Sequence, residues 1–130
     1  MAYSGAVYPW NGIAVHTRMP AVGETVNGQP FAVPAGAKMM TVHVPNLAGT
    51  DTLKIQSLAP SETVEATQIW TDVKVFDFTD GTVEALDGIP ESTAVTFPIS
   101  ATGGGVLRFV SSADESGGVV TIEVFFTRDG

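Results

Sequence analysis

Residues 93–99 read TAVTFPI, and this stretch decides the fold class of the chain. The apolar side chains of Val95, Phe97 and Ile99 alternate with small or polar neighbours. A period of two is typical of a β-strand with one buried face and one hydrated face. Pro98 lacks a backbone donor, so it indicates an edge strand or a position whose missing N–H points away from the ladder.

Similar β-type runs lie on both sides of this strand, and turn residues separate most of them. They predict further strands at residues 38–44, 52–58, 69–78, 82–86, 105–112 and 118–127. Several short strands with regularly spaced turn signals indicate an all-β fold. We therefore predict an antiparallel two-sheet sandwich, either jelly-roll-like or immunoglobulin-like, because the pattern alone does not choose between the two topologies. The short Gly- and Asp-containing loop between segments 38–44 and 52–58 predicts that they form a hairpin.

The segment 69–78 has an unusual distribution of aromatic residues. Trp70, Phe76 and Phe78 fall on the same face as charged residues, opposite Val73 and Val75. We expect either a bulge that turns part of the strand over, or a cover on both faces from an arm or a neighbouring subunit. Phe125, on the polar face of the last strand, suggests the same kind of cover.

Residues 1–37 are rich in Pro, Gly and Ala and show little periodicity. Their four prolines disfavour a helix, which leaves extended backbone with short strands possible at 12–18 and 29–33. We interpret 1–37 as an extended N-terminal arm and 38–130 as the sandwich domain. A free arm would expose apolar side chains to water, so we expect it to lie on a partner. The predicted interface comprises Tyr3, Val7, Tyr8, Trp10, Ile13, Val15, Met19 and Phe31 of the arm with Trp70, Phe76 and Phe125 of the sandwich.

The charge of the chain argues against several partner classes. Its net charge is −8, and its six basic residues form no run along the sequence. Binding to nucleic acid requires clustered Lys and Arg, so we expect no nucleic-acid partner, and the same reasoning applies to an anionic membrane. The sequence contains no stretch of about 18 apolar residues that would span a bilayer. The N-terminus also lacks the basic and apolar regions of a signal peptide.

No constellation of residues predicts a reaction. The chain has no Cys, and its two histidines, His16 and His43, cannot form a three-His metal site. The pairs Asp80-Gly81 and Asp87-Gly88 are typical of turns, and no segment has the spacing of a calcium-binding loop. Neither a G-x-S-x-G elbow nor a P-loop is present. We therefore expect no enzyme activity, no cofactor and no metal site.

The runs TDTLKIQSL, QIWTDVKVFDFTDGT, STAVTFPISATGGGVLRFVSS and GGVVTIEVFFTRDG carry a resemblance to a known class. Over about residues 38–130 the chain resembles small structural proteins of tailed bacteriophages, and among them the capsid decoration (cement) proteins fit best. The resemblance implies a non-enzymatic virion protein on the outer capsid surface, assembled in the host cytoplasm. It also implies that the major capsid protein and copies of the chain itself are the partners, in a homotrimer.

Two other functions remain open. Tyr8, Trp10 and Trp70 are aromatic side chains of the kind that stack on sugar rings, which would suit a carbohydrate or cell-surface binding module. A tail or head–tail structural component shares most features with a decoration protein, and the sequence does not separate the two.

Overall fold

The computed structural model describes residues 12–48, 52–59, 68–99 and 105–128. The eleven elements formed by these residues are all β-strands, which confirms the predicted all-β class. They are β1 (Gly12–Met19), β2 (Phe31–Ala32), β3 (Met39–Val44), β4 (Thr52–Leu58), β5 (Trp70–Asp72), β6 (Lys74–Asp77), β7 (Thr82–Ala85), β8 (Ile89–Pro90), β9 (Thr93–Pro98), β10 (Val106–Ser111) and β11 (Val120–Thr127). Over these ranges no helix has the length and apolar character needed to cross a bilayer.

The strands form two main antiparallel sheets and a separate hairpin. One sheet has the order β1-β11-β3-β9, and the other has the order β2-β10-β4-β5, with β8 also pairing with β4. Among the described strands, β6 and β7 pair only with each other. With β6, β7 and β8 set aside, strands that follow one another in sequence mostly lie in opposite sheets, and the first strand pairs with the last. This order is that of a jelly roll, so the structure selects this topology over the immunoglobulin-like one.

Alternate residues of the long strands point into the space between the two sheets and form the core. In β3, for example, Met40, Val42 and Val44 are buried while His43 is exposed, as the period of two requires. Aromatic contacts add to this core, since the Phe31 ring stacks on the Phe109 ring with centroids 5.4 Å apart. Burying one such large apolar side chain stabilises a fold by about 1.5–3 kcal/mol.

The structure corrects the expected boundary between an arm and the sandwich at residue 37. Strand β1 pairs with β11 along its whole length, and β2 pairs with β10. Met19 is 0% exposed and Phe31 is 5% exposed, so both belong to the core. Pro20 directly follows β1 and Pro30 directly precedes β2. These prolines therefore lie just outside the two strands and do not remove any of their backbone donors. Residues 12–37 are therefore part of the sandwich, while residues 1–11 lie outside the described residues.

Two local expectations also differ from the structure. The segments 38–44 and 52–58 were expected to form a hairpin, but β3 and β4 lie in different sheets. The chain crosses between the sheets after Pro45, and Leu47 is buried on the way. The segment 69–78 contains a break instead of a bulge, because β5 pairs with β4 whereas β6 pairs with β7. Buried Val73 lies between these two strands.

Candidate functional site

The β6–β7 hairpin presents apolar side chains to solvent. Its register places Phe76 opposite Val83, and Phe78 follows at the turn. The exposed fractions are 48% for Phe76, 91% for Phe78 and 60% for Val83. The two phenylalanine rings meet edge to face with centroids 4.8 Å apart. We call Phe76, Phe78 and Val83 the hairpin apolar face.

The base of this hairpin is fixed to the sandwich by backbone hydrogen bonds. Val73 N donates to Ile55 O at 2.9 Å, and Ile55 N donates to Leu86 O at 3.2 Å. Leu86 N in turn donates to Val73 O at 3.1 Å, which closes the base of the hairpin. All four residues of β7 are exposed. The hairpin is therefore attached to the sandwich at its base, while β7 faces solvent along its whole length.

Carboxylates cluster at the turn of the hairpin and on the face opposite the hairpin apolar face, because the register pairs Asp77 with Thr82 and Glu84 with Val75. Oxygen atoms of Asp77, Asp80 and Glu84 all lie within 4.8 Å of one another. Asp80 Oδ1 accepts hydrogen bonds from the Thr82 hydroxyl at 2.6 Å and from the Thr82 backbone N at 3.0 Å. These bonds lower the pKa of the Asp80 carboxyl. Gly81 adopts a φ of 73°, so the prediction that Asp80-Gly81 forms a turn is confirmed.

A second surface lies on the outer face of the five-stranded sheet. The register places Arg108 of β10 opposite Gln56 of β4, and Trp70 of β5 opposite Leu58. Arg108 Cζ lies 4.4 Å from the centroid of the Trp70 ring, which is the geometry of a cation–π contact. Arg108 Nε also donates to Gln56 Oε1 at 2.9 Å. Partial burial lowers the pKa of the Arg108 guanidinium, and the charge of Glu24 acts in the opposite direction.

A row of polar side chains continues from Gln56 along this face. Gln56 Nε2 donates to Asp72 Oδ1 at 2.9 Å, and Lys54 Nζ lies 3.1 Å from the Asp72 carboxylate. The hydrogen bond from Gln56, followed by that from Lys54, lowers the pKa of the Asp72 carboxyl. The orientation of Arg108 is therefore set by a chain of hydrogen bonds that runs across three strands.

Arg108 and Trp70 line a groove of about 340 Å³. Its other wall is the loop between β1 and β2, where Asn27 Nδ2 donates to Glu24 Oε1 at 2.7 Å. The loop is tied to the sheet because Gly28 N donates to Phe109 O at 2.7 Å. We call this feature the Trp70–Arg108 groove. The described residues that line it are Ala21, Val22, Glu24, Asn27, Gly28, Pro30, Gln68, Trp70 and Arg108.

The outer face of the four-stranded sheet carries Phe125, which is half-buried. Its ring lies over the backbone of Gly12, where an added Cβ atom would collide with Phe125 Cζ. Part of the ring is thus covered by the neighbouring strand of the same chain. Ile13, at the start of the edge strand β1, is exposed, whereas Val15 packs against the core.

The predicted interface residues do not form one patch. Met19 and Phe31 lie in the core and are not available to a partner in this fold. Trp70, Phe76 and Phe125 lie on three separate surfaces: the five-stranded sheet, the hairpin and the four-stranded sheet. The predicted residues outside the described part of the chain are Tyr3, Val7, Tyr8 and Trp10. Arg108, Glu24 and Asn27 could not be predicted from the sequence. The strand register brings Arg108 near Trp70, and the loop after β1 brings Glu24 and Asn27 to the same groove.

The two histidines flank Glu123 on adjacent strands. His16 Nε2 lies 3.3 Å from Glu123 Oε2, and His43 is the register partner of Glu123 on the other side. Ser92 and His43 line the same shallow depression, but Ser92 Oγ donates to Asn46 Oδ1 at 2.6 Å. The hydrogen bonds described here thus do not link serine, histidine and carboxylate into a relay of the hydrolytic kind.

These features define a jelly-roll β-sandwich with a hairpin that stands apart from both sheets. The crystal structure of the SPBc2 prophage-derived protein YomS is similar to this chain, with a TM-score of 0.54 and 15% sequence identity. The alignment covers 92% of this chain and 97% of YomS. At this identity the likeness establishes the shared fold. No protein-family model matches the chain, and no curated protein sequence matches it.

Proposed function

We propose that the chain is a non-enzymatic structural protein of a phage virion that binds the outer surface of the capsid shell and stabilises it. The observation that supports this most strongly is the hairpin apolar face, whose Phe76 and Phe78 are exposed on a base fixed by backbone hydrogen bonds. Exposed aromatic side chains on a soluble domain are typical of interaction sites. A jelly-roll fold shared with a prophage-derived protein is consistent with this assignment.

The major capsid protein is the proposed partner of the hairpin. Docking would bury the two phenylalanine rings, and the fixed base of the hairpin keeps the ordering cost low. The carboxylates of Asp77 and Glu84 lie on the opposite face of the hairpin, so the proposed contact is made mainly by apolar side chains. Because a symmetric shell offers many identical sites, modest affinity per copy is enough for stable coverage when copies also contact one another.

Residues 1–11 are the proposed contact between copies, in a homotrimer. This segment has no charged residue and contains Tyr3, Val7, Tyr8 and Trp10. Fully extended, 11 residues reach about 36 Å beyond Gly12, enough to contact a neighbouring copy. Closed symmetry is the usual outcome when one chain binds copies of itself.

The direct test uses particles of the phage that carries this gene, prepared with and without the gene. The purified chain is added back to particles that lack it, and the bound copies per shell and the temperature of shell rupture are measured. We expect saturable binding and a higher rupture temperature. The Phe76→Ser/Phe78→Ser double variant should bind about tenfold more weakly or worse, since it loses two aromatic anchors. Val119→Ser, at an exposed position outside the hairpin, is the matched control.

Labelling intact particles with a gold-tagged antibody separates the structural alternatives. Label on the shell supports the decoration function, whereas label on the tail or the neck supports a tail or head–tail component. Particles that carry no label, together with no binding of the added chain, would exclude both.

A further inference from the structure

The Trp70–Arg108 groove is a second candidate binding site, and the proposed docking through the hairpin does not involve it. It lies on the outer face of the five-stranded sheet, and its walls come from β5, β10 and the loop after β1. Its volume of about 340 Å³ falls within the size range of small-ligand sites. Such sites combine apolar and aromatic side chains with a few convergent polar groups, and here Ala21, Val22, Pro30 and Trp70 supply the apolar lining.

The polar groups of the groove include both donors and acceptors. Arg108 supplies only N–H donors, Glu24 supplies only acceptors, and Asn27 supplies both. Ligand hydroxyl groups suit such a mixture, because each hydroxyl can donate one hydrogen bond and accept others. Arg108 covers one face of the half-buried Trp70 ring, and the C–H face of a sugar ring would pack on the other face.

The charges of the groove favour a neutral ligand. Glu24 lies close enough to Arg108 to influence its ionisation, so an anion would be attracted by one group and repelled by the other. The net charge of −8 on the whole chain adds to the repulsion of an anion. A cation would be repelled by the Arg108 guanidinium in the lining of the groove.

The groove is also held in place before any ligand binds. Arg108 is fixed by Gln56, and Gln56 by Asp72, while Gly28 ties the loop wall to Phe109. A preorganised site loses less side-chain entropy on binding. From its shape, its mixed hydrogen-bonding groups and its balanced charge, we propose that the Trp70–Arg108 groove binds a neutral saccharide, with Trp70 packed against a sugar ring.

The test uses full-length chain labelled with ¹⁵N and four neutral probes: maltotriose, cellotriose, lactose and N,N′,N″-triacetylchitotriose. Each is titrated to about 10 mM, which is enough to saturate a site with a millimolar Kd. We expect at least one probe to shift the indole N–H resonance of Trp70 saturably. Sialyllactose and a heparin-derived trisaccharide serve as anionic probes and are expected to give weaker shifts.

Two variants locate the site, and a third separates it from the proposed shell binding. Trp70→Ala and Glu24→Gln should each weaken binding of the responding sugar about tenfold or more. Because Trp70→Ala removes the indole resonance, binding to the variants is measured on the shifted backbone resonances around Gln68 and Asn27. Glu24→Gln keeps the shape of the side chain, so it tests the site even if Trp70→Ala unfolds. Phe78→Ser should leave sugar binding unchanged. The proposal is overturned if no neutral probe shifts Trp70, if only the anionic probes bind, or if Glu24→Gln binds as tightly as the wild type.

Discussion

Ser111 donates a hydrogen bond of 2.7 Å from its hydroxyl to Oε2 of Glu115, a residue that is completely buried. The other carboxylate oxygen, Oε1, accepts a hydrogen bond from Ala48 N at 2.8 Å, and Glu115 N donates to Thr25 O at 2.8 Å. One buried side chain thus joins the end of β10 to the crossover after β3, and its backbone joins the loop after β1. An acidic residue in a surface loop would not by itself predict this role.

We expect Glu115→Ala to lower the free energy of unfolding by about 3 kcal/mol, because the buried Ser111 hydroxyl and the part-buried Ala48 N both lose their acceptor. Glu115→Gln should cost less, since its amide can still pair with Ala48 N and Ser111 Oγ. Urea denaturation measures both values. Glu84→Ala, at an exposed glutamate, is the control. Equal losses for Glu115→Ala and Glu84→Ala would show that the buried hydrogen bonds do not stabilise the fold.

The break between β5 and β6 predicts unequal effects for two chemically identical substitutions. Val73 is buried at the break, and Val83 is exposed on the hairpin apolar face. Val73→Ala should therefore lower the free energy of unfolding by about 2 kcal/mol, through lost burial and the cavity left behind. Val83→Ala should change it by less than about 0.5 kcal/mol. Thermal unfolding of the two variants makes the comparison, and similar midpoints would contradict the assignment of Val73 to the core.

The carboxyl group of Asp72 predicts a small dependence of stability on acid. Its pKa is lowered in the folded state by hydrogen bonds from Gln56 and Lys54, so the unfolded chain takes up its proton more readily. This contribution is present above the ordinary pKa of an Asp and is lost as pH falls through the lowered pKa of the folded state. Because Asp72 is exposed, we expect its ionisation to contribute less than about 1 kcal/mol to the free energy of unfolding.

Unfolding of wild type and Asp72→Asn in urea, from pH 7 down to pH 3, tests this dependence. The wild type should be the more stable protein at pH 7, and the difference should shrink as the solution is acidified. Asp87→Asn, at an exposed turn outside the polar row, controls for the general loss of negative charge. A difference that grows on acidification would contradict the sign of the Asp72 effect.

The place of β1 and β2 in the sheets predicts different outcomes for two N-terminal truncations. A chain that starts at Gly12 retains all the described strands and should give the circular dichroism spectrum of the full chain. A chain that starts at Lys38 loses β1, one of the two partners of β11, and the buried side chains of Met19 and Phe31, so it should not fold cooperatively. A folded chain from Lys38 onward would restore the boundary expected from the sequence.

Much of the strand pattern follows from the sequence. The alternation at residues 93–99 gave the correct strand, and the segment 52–58 agrees with β4 residue for residue. Periodicity reports which side chains are buried, and it does not report which strands are neighbours. The expected hairpin of β3 and β4 failed for this reason, because both strands bury alternate residues but in opposite sheets.

The N-terminal region was only partly predicted. The short strands allowed at 12–18 and 29–33 correspond to β1 and β2, but the prolines and the weak periodicity did not indicate that these strands join the two sheets. The Trp70–Arg108 groove was predicted only in part. The sequence indicated Trp70 as a possible sugar-binding residue, but it did not indicate the polar residues beside it. Arg108 is 38 positions from Trp70 in sequence, and only the register of β5, β4 and β10 brings the two together.

The pairing of β1 with β11 has a consequence for how the protein is made. Strand β11 lies between β1 and β3, so the four-stranded sheet lacks one of its inner members until residues 120–127 have left the ribosome. Such long-range pairing slows folding and leaves the earlier strands without their partner during translation. The sandwich therefore closes only after residues 120–127 have emerged, whatever the order in which the earlier strands become available.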